Sequence, residues 1–150
     1  MSAIKSIYDA IAAWTPTYDS DVSISAKDVH QIPAVLHSAE TPVRLLLVPE
    51  GPEAFCEFVG LSKRVTIEWR IIDRLFIKPV AQGEGIEKAT EWLVDYMDSY
   101  IEAIQADRSP TSQSHIVGAE ITAGVFNWPP SPGGVPFFGI NVVLTVQEII

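Results

Sequence analysis

A single cysteine, Cys56, occurs in the 150 residues, so the chain cannot staple itself with a disulfide. That scarcity suits a reducing compartment. No apolar run approaches the roughly 20 residues that a membrane-spanning helix needs. The start, Met1-Ser2-Ala3-Ile4-Lys5, lacks the basic stretch and apolar core of a secretory signal. Positive charge is also scarce: 10 Lys and Arg stand against 19 Asp and Glu, for a net charge of −9. A surface of that sign repels nucleic acid as a whole, which argues against a DNA- or RNA-binding module. Catalytic signatures are missing as well. His30, His37 and His115 sit in no recognisable motif, and no Gly-x-Ser-x-Gly occurs. Cysteine and histidine do not cluster as metal ligands do. His30 and His37 do not form a known ligand pair, and the acids Asp19 and Asp21 read as a turn. Gly83-Glu84-Gly85 precedes a helix, but its spacing and acidity do not fit a phosphate loop. Cys56, between Phe55 and Glu57, reads as a buried structural thiol.

What is present is apolar bulk. Hydrophobic residues make up 47% and charged residues 19%, with a mean hydropathy of +0.20. This predicts one folded domain over residues 1–150, with some apolar surface covered by partners. No repeat, heptad or low-complexity tract interrupts it.

The most strongly patterned stretch is Arg64 to Ala106. From Val65, the odd positions Val65, Ile67, Trp69, Ile71, Leu75 and Ile77 are apolar, with Asp73 the exception. The even positions include Arg64, Glu68, Arg70, Arg74 and Lys78. Alternation of this kind predicts a long two-faced strand. Asp73 on the apolar side predicts a bulge or bend. A turn at Gln82-Gly83-Glu84-Gly85 follows, and then Ile86, Ala89, Leu93, Met97, Tyr100, Ile101 and Ile104 recur at helical steps. Trp92 and Tyr96 widen that stripe on one flank. Glu87, Glu91, Asp95, Asp98 and Glu102 occupy the opposite side.

Elsewhere, Ser2 is the expected N-cap of a first helix marked by Ile4, Ile7, Tyr8, Ile11 and Trp14 and ended by Thr15-Pro16. Lys27 to Leu36 is weakly strand-like. Val43 to Val48 reads as a buried strand, and Ala54 to Leu61 as either a strand or a helical turn. Val117, Ala119, Ile121, Ala123 and Val125 mark one late strand; Phe138, Ile140, Val142, Leu144 and Val146 mark the last. Between them, Asn127 to Pro136 forms a hairpin tip stiffened by prolines. The sum is an α+β domain. It has a largely antiparallel sheet with one long strand, two main helices packed on it and a long C-terminal hairpin.

Two surfaces stand out as candidates. The basic strand positions Arg64, Arg70, Arg74 and Lys78 and the acidic helix positions Glu87, Glu91 and Asp95 have opposite signs, and they are expected to pair between neighbouring subunits. The plainer alternative is two solvated faces. The second candidate is the rigid tip, with Trp128, Pro129, Pro130, Pro132, Val135 and Phe137 as expected partner contacts.

From Ile4-Lys5-Ser6-Ile7-Tyr8 to Val142-Val143-Leu144-Thr145-Val146, this order of elements resembles the tail terminator (tail-completion, head–tail joining) proteins of long-tailed bacteriophages. The resemblance lies in topology, size and charge. It implies a structural virion protein, not an enzyme and without a cofactor, assembled in the host cytoplasm. Such proteins form hexameric rings that cap the tail tube and meet head connector proteins, and DNA passes through a lumen lined by acidic groups. An acidic chaperone dimer of the type III secretion kind is the alternative, although those chains usually end in a further helix. A small hydrolase or isomerase using His115 or His37 is the third reading.

Overall fold

The longest patterned stretch does become the central strand of a sheet. The computed structural model describes residues 3–18, 22–23, 41–49, 54–61, 64–80, 85–129 and 134–150. Within them the elements are α1 (Ile4–Ala12), β1 (Thr17–Tyr18), β2 (Val22–Ser23), β3 (Val43–Leu47), β4 (Cys56–Leu61), β5 (Val65–Pro79), α2 (Gly85–Ala106), β6 (Ser114–Trp128) and β7 (Val135–Ile149). The segment Lys27 to Leu36 and the turn at residues 81–84 lie outside the described residues. The fold is α+β. β1 and β2 form a small hairpin held to α2 through Thr17, whose N–H donates to Ser99 Oγ at 2.8 Å.

The main sheet has five strands, all antiparallel, in the order β3–β5–β7–β6. β4 also pairs with β5, along Val65 to Trp69, while β3 takes Ile72 to Phe76. Since β7 runs along the other side of β5, β3 and β4 lie end to end on one edge. β5, β6 and β7 each span 15 residues, or about 50 Å at strand rise. Among the described residues, β6 pairs with one strand only, β7, and at its start the Ile116 N–H donates to the Arg108 carbonyl at 2.7 Å.

One face of this sheet carries the main core. Ile67, Trp69, Ile71, Leu75 and Ile77 of β5 and Ile140, Val142, Leu144 and Val146 of β7 pack with Ile7, Ile11 and Trp14 of the N-terminal segment. From α2 come Trp92, Leu93, Tyr96 and Tyr100. The helix is therefore rotated from its expected stripe: Trp92 and Tyr96 are central, and Ile101 is 44% exposed. The larger rings of Trp92, Tyr96 and Tyr100 bury more apolar area than Ile101 would, and the helix face that carries them turns to the core.

Asp73 stays in register opposite Val142, and no bulge forms there. It is fully buried because Arg44, on the neighbouring β3, reaches it. Arg44 Nε lies 2.8 and 3.0 Å from the two carboxylate oxygens, and Nη2 lies 2.6 Å from Oδ2. The Tyr100 hydroxyl donates to Asp73 Oδ2 at 2.5 Å. Arg44 also donates to the carbonyls of Trp14 (2.7 Å) and Ile11 (2.9 Å). Both carbonyls lie at or just past the C-terminal end of α1, where a cation is favoured by the helix dipole; the Ile11 carbonyl also accepts from the Trp14 N–H at 3.1 Å. Burial alone would lower the Arg44 pKa, but the charge and hydrogen bonds of Asp73 outweigh this and leave it raised.

The other end of α1 has the opposite charge. The expected cap at Ser2 is not what the helix uses: Ala3 is the N-cap and no side chain within α1 caps it. Glu148 of β7, fully buried, instead accepts from the Ala3 N–H at 2.5 Å and from Trp69 Nε1 at 3.2 Å. α1 is thus held at both ends by buried charges that come from the sheet. A nine-residue helix is marginal by itself, and these clamps fix it over the strands.

The bulge predicted at Asp73 occurs further on, between Phe76 and Lys78 opposite Gly139 and Phe138. Gly139 is required there. A Cβ at that position would come within 2.1 Å of the Leu75 carbonyl oxygen.

Removing one partner of the buried pair strands a charge in the core. Asp73→Ala is expected to cost about 3–5 kcal/mol in urea unfolding. The double variant Arg44→Met/Asp73→Leu should cost less than the sum of the two single changes. A second prediction concerns alkali. Burial pushes the Tyr8 hydroxyl from 10.0 up to about 12. Burial first, and then the charge of Asp73, raise Tyr96 and Tyr100. The folded state keeps phenolic protons that the unfolded chain loses above its ordinary value of about 10. Stability is therefore complete below pH 10 and falls as pH climbs through 12. Tyrosinate absorbance from these side chains should appear together with the loss of the folded circular dichroism signal.

Candidate functional site

The second face of the sheet is where the sequence placed its basic stripe. Residues facing that side are Thr66, Glu68, Arg70, Ile72, Arg74 and Phe76 of β5, with Asn141, Val143, Thr145 and Gln147 of β7 beside them. β6 adds Gly118, Glu120 and Thr122. The middle of this face, Arg70 to Arg74 of β5, Asn141, Val143 and Thr145 of β7 and the three β6 residues, lines an open groove of about 830 Å3, with Arg70 and Arg74 on one bank and Glu120 on the other.

The four basic residues do not act as one surface. Arg64 is exposed at the start of β5 and borders a separate hollow with Gln113 and His115. Arg70 lies in the groove with its side chain 34% exposed. It donates to the Ala54 carbonyl at 3.2 Å and stands 3.9 Å from Glu57. Arg74 is 9% exposed, donates from Nε to Asn141 Oδ1 at 2.9 Å, and stacks over Phe126 at 5.3 Å. Lys78, beyond the bulge, sits 5.2 Å from the ring of Trp92 on α2. Period-2 counting assigned Lys78 to the Arg70 face, and one extra residue in the ladder is enough to break that count. Glu120 lines the groove and Glu57 and Glu68 lie further along the same face, so this face is mixed in sign instead of basic.

Glu91 and Asp95 are exposed on α2 together with Asp98 and Glu102. Glu87 belongs to α2, but its side chain lies outside the described residues. Two apolar side chains share the outer helix surface, Val94 at 58% and Ile101 at 44% exposure.

The hairpin tip needs a larger correction. Trp128 and Phe137, expected to meet a partner, are 7% and 1% exposed. Both pack edge-on against Phe76, at 5.7 and 5.6 Å between ring centroids. With Val43 and Leu45 they form a second, smaller core on the groove side of the sheet. The aromatic flanks of the tip thus fold inward onto the bulged end of β5, where Phe76 offers an apolar seat. Pro129 is half-buried and Val135 is 42% exposed. Pro130 and Pro132 lie outside the described residues.

His115 is exposed, with Nδ1 3.0 Å from Ser109 Oγ. A Ser–His contact is a first element of nucleophilic chemistry, which also needs an acid to orient the ring. Among the described residues no carboxylate is hydrogen-bonded to His115, and no group of three or more His, Cys, Asp or Glu could hold a metal ion. His30 and His37 lie outside the described residues. Cys56 is half-buried on β4, packed against the main core. No helix among the described residues is long and apolar enough to cross a membrane.

The feature that sequence reading missed is β6 as an edge. Val117 and Val125, which mark the strand by alternation, are 52% and 53% exposed. The strand contains no Lys, Arg or Pro, the residues that commonly guard an edge from further pairing. Beside it, Ile101 and Ile104 of α2 and Ile116, Val117 and Ile121 of β6 line a cleft of about 440 Å3. The sequence signal was available, in a long small-residue strand almost without charge, but alternation alone does not say which strand ends the sheet.

Comparison with protein-family models, with curated proteins and with solved structures returned no match to this chain.

The buried position of Trp128 predicts the outcome of its removal. Trp128→Ala should destabilise the fold by about 3–5 kcal/mol, read as a lower urea midpoint. Val135→Ala, at an exposed site of the same hairpin, should stay within about 0.5 kcal/mol.

Proposed function

We propose that this chain is a structural assembly subunit, and that the assembly is a ring of the tail-terminator kind. In that reading the ring caps a phage tail tube, meets head connector proteins and lets DNA pass without binding it specifically. The location that follows is the virion. The observation that carries the assembly reading is the β6 edge, which among the described residues pairs with no strand but β7 and carries exposed valines and one formal charge. Such an edge presents a row of unpaired backbone groups to another chain. The exposed Val94 and Ile101 on an otherwise acidic helix surface add apolar area for contact. The net charge of −9 suits a channel through which DNA slides. The expected pairing of a basic strand with an acidic helix gives weaker support, since Arg70 and Arg74 are tied to groups of their own subunit.

Native mass spectrometry of the full chain, alone and mixed with a tail-tube protein, tests this. A species near six subunits is the expected result in at least one of the two samples. A monomer in both, across micromolar to millimolar concentration, would falsify the ring.

A further inference from the structure

The Arg108 carbonyl closes the start of β6 by taking the Ile116 N–H. The next stretch, Gly118 to Val125, pairs with β7 alone among the described residues. Side-chain face and hydrogen-bond direction both repeat at every second residue of a strand. The Ile116 N–H points away from β7, so Ala119, Ile121 and Ala123, on the same face of the sheet, also turn their backbone groups outward. Beside them lies the cleft of about 440 Å3 between α2 and β6. An exposed edge next to a pocket for alternate side chains is what strand addition uses to bind an extended peptide. We propose that this edge and cleft bind the C-terminal end of a partner protein. The bound segment is extended, runs antiparallel to β6, carries apolar side chains at alternate positions and sets its terminal carboxylate against Arg108. This goes beyond the assembly reading, since it names the chemistry of a partner and holds for a single copy of the chain.

The cleft is divided by polarity. Ile104, Ile116 and Ile121 pack against the main core and form an apolar floor. The exposed Ile101 and Val117 stand beside it, Val117 being the extra residue of the bulge between Ile116 and Gly118. Ala119 and Ala123 lie opposite Leu144 and Ile140, on the helix side of the sheet. They are small, and they leave room beside the edge for larger side chains on an added strand. The polar side chains are Gln105 and Arg108, one helical turn apart in sequence, with Arg108 at the Ile116 end. No carboxylate is among the lining residues.

Charge and the blocked start of the strand fix the direction of the occupant. An added strand cannot pair past Gly118, because the Ile116 N–H is already taken. A strand antiparallel to β6 reaches that point with its C-terminal end. A parallel one brings its N-terminal end, and a terminal ammonium there is repelled by Arg108. A chain that stops at Gly118 needs no further pairing, and its carboxylate meets the guanidinium in a charge-assisted contact. Arg108 is exposed, and among the described residues no carboxylate pairs with it. Gly118 to Val125 spans about 25 Å at strand rise, which suits a segment of about eight residues. The last strand of a second copy is not the occupant, since β7 is already held between β5 and β6.

Fluorescence anisotropy with a set of labelled synthetic octapeptides tests this on the full chain. The probes carry Val, Ile or Leu at alternate positions, the last included, and end in a free carboxylate; a matched set ends in an amide. Free acids are expected to bind, and the matched amides to bind roughly tenfold more weakly or worse. Arg108→Gln keeps the backbone carbonyl that takes the Ile116 N–H. It should leave circular dichroism and the urea midpoint unchanged while removing the preference for the free acid. Ile101→Ser, at an exposed position, should weaken free acids and amides alike. Methylating the peptide nitrogens that face β6 should abolish binding. Free acids that do not bind at millimolar concentration would overturn the site, as would amides that bind equally well or an Arg108→Gln chain that keeps the preference. An amidated peptide ending in Asp that binds as tightly as the free acids would overturn the chain-terminus assignment. Peptide binding by a chain that native mass spectrometry finds monomeric would uphold this site and overturn the ring. A six-subunit species that takes no free-acid peptide would overturn this site and leave the assembly reading standing.

Discussion

The fold depends on one buried ion pair. Arg44 and Asp73 come from adjacent strands, are 0% and 1% exposed, and meet at 2.6 Å. Two charges leaving water would cost several kcal/mol each without compensation. Here every remaining donor and acceptor is directed. The guanidinium takes two carbonyls at the C-terminal end of α1, and the carboxylate takes the Tyr100 hydroxyl of α2. The pair therefore ties together β3, β5, α1 and α2, which no single apolar side chain could do with comparable directional constraint. Glu148 repeats the logic at the other end of α1. Opposite charges at the two helix ends match the sign of the helix dipole, and they leave α1 one way to lie on the sheet.

A second constraint follows from strand length. Strands of 15 residues extend well past what two helices cover. The sheet manages its excess length differently at different places. At the bulged end of β5, Phe76, Trp128 and Phe137 make a small core on the far face. Along the middle, Arg70 and Arg74 are satisfied within their own sheet, by the Ala54 carbonyl and by Asn141. At β6 the Arg108 carbonyl takes the Ile116 N–H, and beyond that no second described strand pairs with the edge.

The legible parts of the fold were those set by period. Alternation in Val65 to Ile77 and in Ile140 to Val146 marked the strands and their core faces correctly, and helical spacing marked α2. The Ala54 to Leu61 ambiguity resolved as a strand because β5 had a free side there for β4 to join. The candidate site was less legible. Lys78 was assigned to the Arg70 face by counting, and the bulge after Phe76 removed it. Trp128 and Phe137 looked like projections because they flank prolines and glycines; the turn returned them onto Phe76. Neither a bulge nor the path of a hairpin tip is coded by local alternation.

The amino-acid sequence by itself determined the class of the molecule. Spacing of apolar residues yields an α+β chain with long antiparallel strands, because the periods of strand and helix are consequences of backbone geometry. Composition determined its acidity and its lack of disulfides. Tertiary structure alone decided what the polar residues do. Asp73 is a core ion-pair partner because Arg44, 29 positions away, pairs one strand over. Glu148 caps a helix 145 positions earlier. β6 is an edge because β7 lies between it and β5. Each of these depends on which strands become neighbours, and that is settled by long-range packing that no local pattern records.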